Sequence, residues 1–225
     1  MIGCRFRRTV ETSVRREECV LSDESAWRKR IPWFFSMVPL SSSAVSSGKL
    51  AAIYLVGFMG CGKTTVGTRL AQRLAWKFDD LDARIEREEG LTIAEIFSRA
   101  GEAAFRRKEH ETLLRVLEEA GQAGGRVVAL GGGTFAQPQN FDLLQSAKAI
   151  TIWLECPVEE LLLRCALMTN RPLFRDEASF RQLYDERLPY YRQASFTVET
   201  GSSDPGEVVN RILALPVFQG VLCRC

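Results

Sequence analysis

The stretch that decides the fold is Gly57-Phe58-Met59-Gly60-Cys61-Gly62-Lys63-Thr64, which has the pattern GxxxxGKT. Before it lies the continuous apolar run 51–56, which is typical of a buried parallel strand. After it, apolar residues recur at helical spacing, at Val66, Leu70 and Leu74. A strand that leads through this loop into a helix is the context in which the pattern binds a nucleoside triphosphate. A glycine-rich turn with an incidental lysine is the alternative, and the flanking strand and helix count against it.

The chemistry of the loop follows from its residue types. The glycines allow successive backbone N–H groups to point at the phosphates, and the N-terminus of the following helix adds positive potential. We expect Lys63 to reach the β- and γ-phosphates and Thr64 to bind Mg²⁺ through its hydroxyl. Cys61 lies inside the loop, where a space-filling role is a simpler expectation than a redox role.

Composition limits the possible partners and locations. The 225 residues, 46% hydrophobic and 26% charged, fit one globular domain, or one domain with an appendage. A formal net charge of +2 gives no basic surplus for a nucleic-acid backbone, so we expect a small-molecule substrate. No apolar run approaches the roughly 20 residues of a membrane-spanning helix. The seven cysteines lack CxxC pairs and histidine partners at metal-ligand spacing, which indicates free thiols in a reducing cytoplasm.

Residues 1–50 differ from the rest of the chain. They carry arginine-rich patches and the serine-rich tract 41–47. Three interpretations stay open: a disordered extension, a degenerate transit peptide that would direct the protein to a plastid, and a misassigned start with translation beginning at Met37. Several acidic residues count against the transit peptide. At the other end, we expect 218–225 to be a tail.

Strand and helix patterns alternate after the loop. Apolar runs at 126–130 and 149–154 predict two more buried strands. Helical patterns occupy the intervening and following stretches, at 93–100, 103–119, 158–167 and 180–191. Such alternation predicts parallel strands with helices on both faces, which is a three-layer α/β/α sandwich with a central parallel sheet.

An acidic cluster, Asp79, Asp80 and Asp82, follows the first helix, in or after a short second strand. Period-two geometry would place Asp80 and Asp82 on one side of that strand. Two such carboxylates suit kinase chemistry, one facing the metal and one hydrogen-bonding the attacking hydroxyl. A solvated turn is the alternative for this cluster taken alone.

Glycines and arginines supply the remaining candidate ligands. Gly131-Gly132-Gly133 follows the strand predicted at 126–130, at a strand end where α/β proteins bind ligands. A tight turn would usually need one glycine, so three together favour a site. Arg106, Arg171 and Arg187 are suited to hold an anionic acceptor or a transferring phosphoryl group, although each alone fits a surface arginine equally well.

Taken together, these segments resemble the shikimate kinases, in order from about 51 to about 215. The resemblance rests on six motifs: Gly57 to Thr64, Asp80-Leu81-Asp82, Gly101-Glu102 leading to Phe105-Arg106-Arg107-Lys108-Glu109, Gly131-Gly132-Gly133, Arg171-Pro172-Leu173, and Arg187-Leu188-Pro189-Tyr190-Tyr191. Only the first is shared broadly among phosphate-loop kinases.

The resemblance implies transfer of the γ-phosphoryl group of MgATP to the 3-hydroxyl of shikimate, giving shikimate 3-phosphate on the route to chorismate and aromatic amino acids. It implies the fold of nucleoside monophosphate kinases, which is of the phosphate-loop nucleoside triphosphate hydrolase type. The kinase domain would span 51–217, with a substrate-binding segment at about 80–110 and a mobile lid at about 166–178. We expect a monomer.

The resemblance also implies residue roles. Catalysis would depend on Lys63, Asp82 and Arg171. ATP would be bound by Gly60, Cys61, Gly62, Lys63, Thr64, Thr65, Arg164, Arg171 and Pro205. Shikimate would be bound by Asp82, Phe97, Phe105, Arg106, Glu109, Gly131, Gly132, Gly133 and Arg187, with Arg106 and Arg187 on its carboxylate and Glu109 orienting Arg106. The metal would be held by Thr64 and Asp80.

Two alternatives remain. The first is another small-molecule kinase of the same fold, such as a gluconate kinase, whose acceptor is also a hydroxylated carboxylate. The triple glycine and Phe105-Arg106 count against it. The second is a shikimate kinase-like protein that binds without catalysing transfer, which the complete set of site residues disfavours. One departure from the family pattern is the absence of an arginine near Ser202 and Ser203, which affects only a contact with the adenine.

Overall fold

The computed structural model describes residues 50–120, 124–166, 176–201 and 203–219. Within them, five parallel strands form one sheet in the order β2-β3-β1-β4-β5. The strands are β1 (Ala52–Val56), β2 (Lys77–Asp80), β3 (Arg126–Ala129), β4 (Ile150–Glu155) and β5 (Phe196–Glu199). Because β1 is the central strand, its carboxyl end delivers the GxxxxGKT loop to the middle of one sheet edge.

Helices connect the strands and flank the sheet, as the alternation of patterns predicts. They are α1 (Lys63–Leu74), α2 (Leu81–Glu89), α3 (Ile93–Ala120), α4 (Pro138–Ser146), α5 (Val158–Ala166), α6 (Glu177–Tyr191) and α7 (Pro205–Leu213). Gly101 interrupts α3 with a φ of 77°, so this helix has the two sections that the sequence predicts at 93–100 and 103–119. The three-layer parallel α/β architecture is confirmed. No helix in the described ranges is both long and apolar enough to cross a membrane.

The core lies between the sheet and its helices. All five residues of β1 are buried, as expected for the central strand of a parallel sheet. Helix α1 approaches the sheet closely at Gly67, where a Cβ atom would lie 2.5 Å from the ring of Phe78. The cysteines that the structure describes, Cys61, Cys156 and Cys165, are buried free thiols.

The strand register aligns the ends that carry the predicted site. Ala129 of β3 is level with Asp80 of β2 on one side and with Leu55 of β1 on the other. The acidic residues after β2, the glycines after β3 and the loop after β1 therefore leave the sheet at the same edge. This is the edge at which open α/β sheets bind ligands.

One prediction about this edge is wrong in detail. Strand β2 ends at Asp80, whose side chain caps α2 by accepting hydrogen bonds from the backbone N–H groups of Asp82 (3.1 Å) and Ala83 (3.3 Å). Asp82 therefore lies in the first turn of a helix, and the two carboxylates do not share a strand face. The capping preference of aspartate, which ends the strand, outweighs the period-two pattern. The patterns in the sequence also do not predict α2, α4, α7 or β5.

Candidate active site

The GxxxxGKT loop has the backbone that its glycines permit. Gly57, Gly60 and Gly62 have positive φ angles of 142°, 81° and 94°, and Gly62 is the N-cap of α1. Lys63 reaches back across the loop, where its Nζ donates to the carbonyl oxygens of Gly57 (2.9 Å) and Phe58 (3.0 Å). The loop thus holds an ammonium group over its own backbone, at the N-terminus of a helix.

Cys61 is 1% exposed and its Sγ lies 3.7 Å from the Nζ of Lys63. A Cβ atom at Gly57 would lie only 2.9 Å from that sulfur and 2.9 Å from the carbonyl oxygen of Leu154. The thiol therefore fills the space beneath the loop, which agrees with the simpler of the two expectations for this cysteine.

Thr64 and Asp80, the predicted metal ligands, are in contact. The Oγ1 of Thr64 donates to the Oδ2 of Asp80 at 2.7 Å, while the Oδ1 of Asp80 caps α2. The side chain of Asp80 is therefore fixed from both sides. A hydroxyl and a carboxylate placed together at the phosphate loop form a set of hard oxygen donors, which is the kind that Mg²⁺ prefers.

A cavity of about 890 Å³ opens at this edge of the sheet. It brings together most of the predicted acceptor and metal residues, which come from the segments after β1, β2 and β3 and from α3 and α6. The lining includes Thr64, Asp80, Asp82, Phe97, Phe105, Arg106, Glu109, Gly132, Gly133 and Arg187. Gly131 borders this group, since a Cβ atom there would lie 2.5 Å from the Oδ1 of Asp82.

Arg106 is held by two carboxylates of its own helix. Its Nη1 donates to Glu109 at 3.0 Å, and its Nε and Nη2 both donate to Glu102, at 3.2 and 3.0 Å. Glu109 is 1% exposed, whereas the side chain of Glu102 is 61% exposed. Burial by itself lowers the pKa of the Arg106 guanidinium, but the charges and hydrogen bonds of the two glutamates outweigh it and raise the pKa. The predicted orienting role of Glu109 fits this geometry.

Arg187 approaches the same region from α6. Its Nη1 donates to the carbonyl oxygen of Gly132 at 3.1 Å, and its guanidinium lies 5.4 Å from the ring centre of Phe58. The hydroxyl of Tyr191, one helical turn later, donates to the same carbonyl at 2.5 Å. Burial raises the pKa of Tyr191, so this phenol stays a neutral donor. Arg187, 7% exposed, is thus fixed against the triple glycine.

The two arginines converge on Gly133. A Cβ atom built at this residue would lie 3.0 and 3.2 Å from the Nη1 and Nη2 of Arg106, and 3.2 Å from the Nη2 of Arg187. Two guanidinium groups thus face the small space that a missing side chain leaves beside the cavity. The arrangement suits a carboxylate, which pairs well with planar arginine forks. An aromatic wall adjoins it, because the rings of Phe97 and Phe105 lie 4.8 Å apart and Arg106 lies over Phe105.

A second cavity, of about 420 Å³, adjoins the phosphate loop. It is lined by the loop, by α5 and by the segment that leads into α7, and includes Gly60, Cys61, Gly62, Thr65, Arg164, Ser203 and Pro205. Arg164 is fixed there by the carbonyl oxygens of Gly60 (3.3 Å) and Gly201 and by Glu160. Of the predicted ATP-binding residues, Gly60, Cys61, Gly62, Thr65, Arg164 and Pro205 line this cavity. Thr64 lines the first cavity, Lys63 lies in the loop but lines neither cavity, and Arg171 lies outside the described residues.

Sequence reasoning missed three residues of the site. Glu102 and Tyr191 belong to motifs that carry the resemblance, but neither is predicted to be a site residue. The spacing of four between Glu102 and Arg106 on a helix indicates an ion pair. Tyr191 has the same spacing from Arg187. Thr134 follows the triple glycine and is fully buried, with its Oγ1 donating to the Oε1 of Glu109 at 2.5 Å. No local pattern indicates that contact, because its two partners are 25 residues apart.

The parallel sheet, the phosphate loop and the adjoining arginine-lined cavity define a phosphate-loop kinase. A family model described as "Shikimate kinase" matches residues 59–215. A shikimate kinase from Synechococcus sp. (strain CC9605) is 44% identical over 168 residues, which cover 73% of this chain and 81% of the relative. The chain belongs to the shikimate kinase family.

Solved structures agree with this assignment. A shikimate kinase from Acinetobacter baumannii in complex with shikimate superposes with a TM-score of 0.67 at 39% identity, covering 73% of this chain and 91% of that one. A shikimate kinase from Aquifex aeolicus gives a TM-score of 0.64 at 36% identity, covering 72% and 94%.

Proposed function

We propose that this protein transfers the γ-phosphoryl group of MgATP to the 3-hydroxyl of shikimate, giving shikimate 3-phosphate and ADP on the route to chorismate and aromatic amino acids. Membership of the shikimate kinase family supports the reaction class. The observation that carries the substrate assignment is the convergence of Arg106 and Arg187 on Gly133, in a cavity that also contains Thr64, Asp80 and Asp82. A small polyol with one carboxylate fits this combination of charges.

The acceptor would be oriented by its carboxylate. Arg106 and Arg187 would each present a guanidinium edge to it, and both are already held in place by Glu109, Glu102 and Gly132. Such fixed donors bind an anion without first losing side-chain freedom, which favours one orientation of the ring. The adjacent rings of Phe97 and Phe105 would cover the apolar face of that ring, while the backbone of 131–133 would supply further donors.

The donor would occupy the second cavity, with its phosphates on the loop. The Nζ of Lys63 would exchange its two backbone carbonyls for the β- and γ-phosphates, which are stronger partners for an ammonium group. Asp82 would hydrogen-bond the attacking 3-hydroxyl and accept its proton as the bond to phosphorus forms. Catalysis would then consist mainly of positioning and electrostatic stabilisation.

Thr64 and Asp80 would hold Mg²⁺, and their contact at 2.7 Å shows that the two oxygens already meet beside the loop. When bound, the ion would neutralise charge on the β- and γ-phosphates. Arg164 and Pro205 would border the adenine. By resemblance, Arg171 would supply a further positive charge to the phosphates as part of a lid at about 166–178. The monomeric state, the location in the cytoplasm and the role of residues 1–50 stay predictions.

The test is ADP release by the purified protein with MgATP and either shikimate or gluconate. We expect release that depends on shikimate, with shikimate 3-phosphate as the second product, and little release with gluconate. ADP release that occurs with gluconate but not with shikimate would support the alternative of a gluconate kinase of the same fold. Binding of shikimate without any ADP release would support the non-catalytic alternative, and either result would overturn the proposal.

A further inference from the structure

We infer that Thr134 is a positioning residue for recognition of the acceptor's carboxylate, acting through Glu109 on Arg106. The inference rests on the proposed function, because the acceptor it concerns is shikimate. Thr134 begins a short 3-10 turn, Thr134–Ala136, immediately after the triple glycine. Its backbone N–H donates to the carbonyl oxygen of Gly131 at 3.1 Å, so its position is tied to the end of β3.

A chain of buried hydrogen bonds leads from this threonine to the arginine. Thr134 is fully buried, and its hydroxyl donates to the Oε1 of Glu109 at 2.5 Å. The other carboxylate oxygen, Oε2, accepts from the Nη1 of Arg106 at 3.0 Å. Glu109 is 1% exposed, so water has little access to replace either donor. Each oxygen of this buried carboxylate therefore has one partner, and the pair of partners sets the plane of the group.

The plane of the Glu109 carboxylate determines the direction of the Arg106 guanidinium. Arg106 extends from α3, whereas Thr134 belongs to the turn after β3, so Glu109 connects the helix to the sheet edge. With its Nη1 fixed by Glu109 and its Nε by Glu102, Arg106 presents Nη1 and Nη2 to the space above Gly133. If the threonine hydroxyl is lost, Glu109 can rotate about its last bond, and the guanidinium can follow it away from Gly133.

Thr134 lies close to Asp82, which would act on the attacking hydroxyl, and to Glu109, which orients Arg106. The position of a Cβ atom on Gly131 is 2.5 Å from the Oδ1 of Asp82, 2.7 Å from the Oγ1 of Thr134 and 3.0 Å from the Oε1 of Glu109. The hydroxyl thus lies near the carboxylates of both Asp82 and Glu109. It donates to Glu109, which leaves the orientation of Arg106 as the property that depends on it most directly.

The experiment compares Thr134→Val, which keeps the shape and loses the hydroxyl, with Thr134→Ser, which restores the donor. For Thr134→Val we expect the KM for shikimate to rise about tenfold, which is the effect expected from the loss of one buried hydrogen bond to a charged group. The kcat and the KM for ATP should stay within about twofold, because the carboxylate is bound equally before and during transfer. Thr134→Ser should restore the KM, and Thr134→Ala offers a smaller replacement if valine prevents folding.

Thr151→Val is the matched control. Thr151 is 2% exposed, and its hydroxyl accepts from the backbone N–H of Ser195 at 3.0 Å, near the start of β4 and away from the cavity. This variant also loses a buried hydroxyl, so it should lower the melting temperature comparably without changing the KM for shikimate. A rise in KM with Thr151→Val equal to that with Thr134→Val would mean that general destabilisation is the cause, and would overturn the inference.

Two further measurements separate the inference from the proposed function. With the methyl ester of shikimate, which has no carboxylate charge, the KM of Thr134→Val should differ from that of the unaltered protein by less than about twofold, because the arginine then has no anion to bind. Crystal structures should show the guanidinium of Arg106 displaced from Gly133 in Thr134→Val and unmoved in Thr134→Ser. If the unaltered protein released no ADP with shikimate, the proposed function would fail, and the crystal structures would still decide the positioning role. An unmoved guanidinium in Thr134→Val would refute that role.

Discussion

Replacement of Gly133 by alanine would place a methyl group at the point where two arginines meet. The new Cβ would lie 3.0 Å from the Nη1 of Arg106 and 3.2 Å from the Nη2 of Arg187. The backbone at this residue has φ −106° and ψ −12°, which an L-residue adopts without strain. The substitution therefore acts on the ligand site and leaves the turn intact.

The expected size of the effect follows from the hydrogen bonds at risk. Hydrogen bonds to charged groups contribute about 1.5–3 kcal/mol each, and the methyl group blocks the space in which the carboxylate would receive them. Loss of about 3 kcal/mol corresponds to a roughly 100-fold rise in the KM for shikimate. The free energy of unfolding should change by less than about 1 kcal/mol, because the tight contacts are offset by the lower entropy of the unfolded alanine variant.

The assay is steady-state ADP release with shikimate varied at saturating MgATP, accompanied by thermal unfolding of each variant. Gly124→Ala is the matched control, because a Cβ atom there would meet nothing within 4 Å. It should leave the KM values for shikimate and ATP unchanged. If Gly133→Ala kept a normal KM for shikimate, the assignment of the carboxylate to the space between Arg106 and Arg187 would be wrong.

Three further predictions concern the phosphate loop, the acceptor and stability. Lys63→Ala should abolish turnover, because the phosphates lose their ammonium partner, and persistent ADP release would contradict this role. Asp82→Asn should lower kcat at least about 100-fold while calorimetry shows nearly unchanged ATP binding; normal turnover would rule out the acceptor model. Glu119→Gln should lower the free energy of unfolding at pH 7 by about 1 kcal/mol, a value reduced for solvent screening because the Glu119 side chain is 41% exposed. Arg84 lowers the pKa of Glu119 from 4.5 to about 2, so this stabilisation is present above pH 4.5 and is lost as the pH falls towards 2. Urea unfolding at pH 7 and pH 2.5 should therefore show the difference between the two proteins shrinking at the lower pH, and an equal difference at both would refute the ion-pair explanation.

Much of the fold was predictable because its signals are local. The apolar run of β1, the glycines of the loop and the helical spacing after Lys63 all act within a few residues of each other. Gly101 likewise separates two helical patterns where the structure has a positive φ of 77°. Strand β5 escaped prediction because it has only four residues: apolar and polar residues alternate in it, but the run is short and only its third residue is buried.

The acidic segment shows where local reasoning fails. A strand pattern and a helix-capping pattern overlap at Asp80, and the sequence alone does not say whether the strand continues through Asp82 or a helix begins after Asp80. In the folded protein, Asp80 accepts the N–H groups of α2 with one oxygen and the hydroxyl of Thr64 with the other. The second contact joins residues 16 apart, and it depends on β1 and β2 ending at the same edge of the sheet.

By itself, the sequence determined the nucleotide-binding loop, the parallel α/β class and the set of residue types that resembles the shikimate kinases. Those properties depend on patterns among residues that are close together in the sequence, so they can be recognised without the tertiary structure. Only the tertiary structure decided that Arg106 and Arg187 converge on Gly133 and that Thr134 contacts Glu109. These contacts join α3, α6 and the turn after β3, and their geometry exists only once the helices are packed against the end of the sheet.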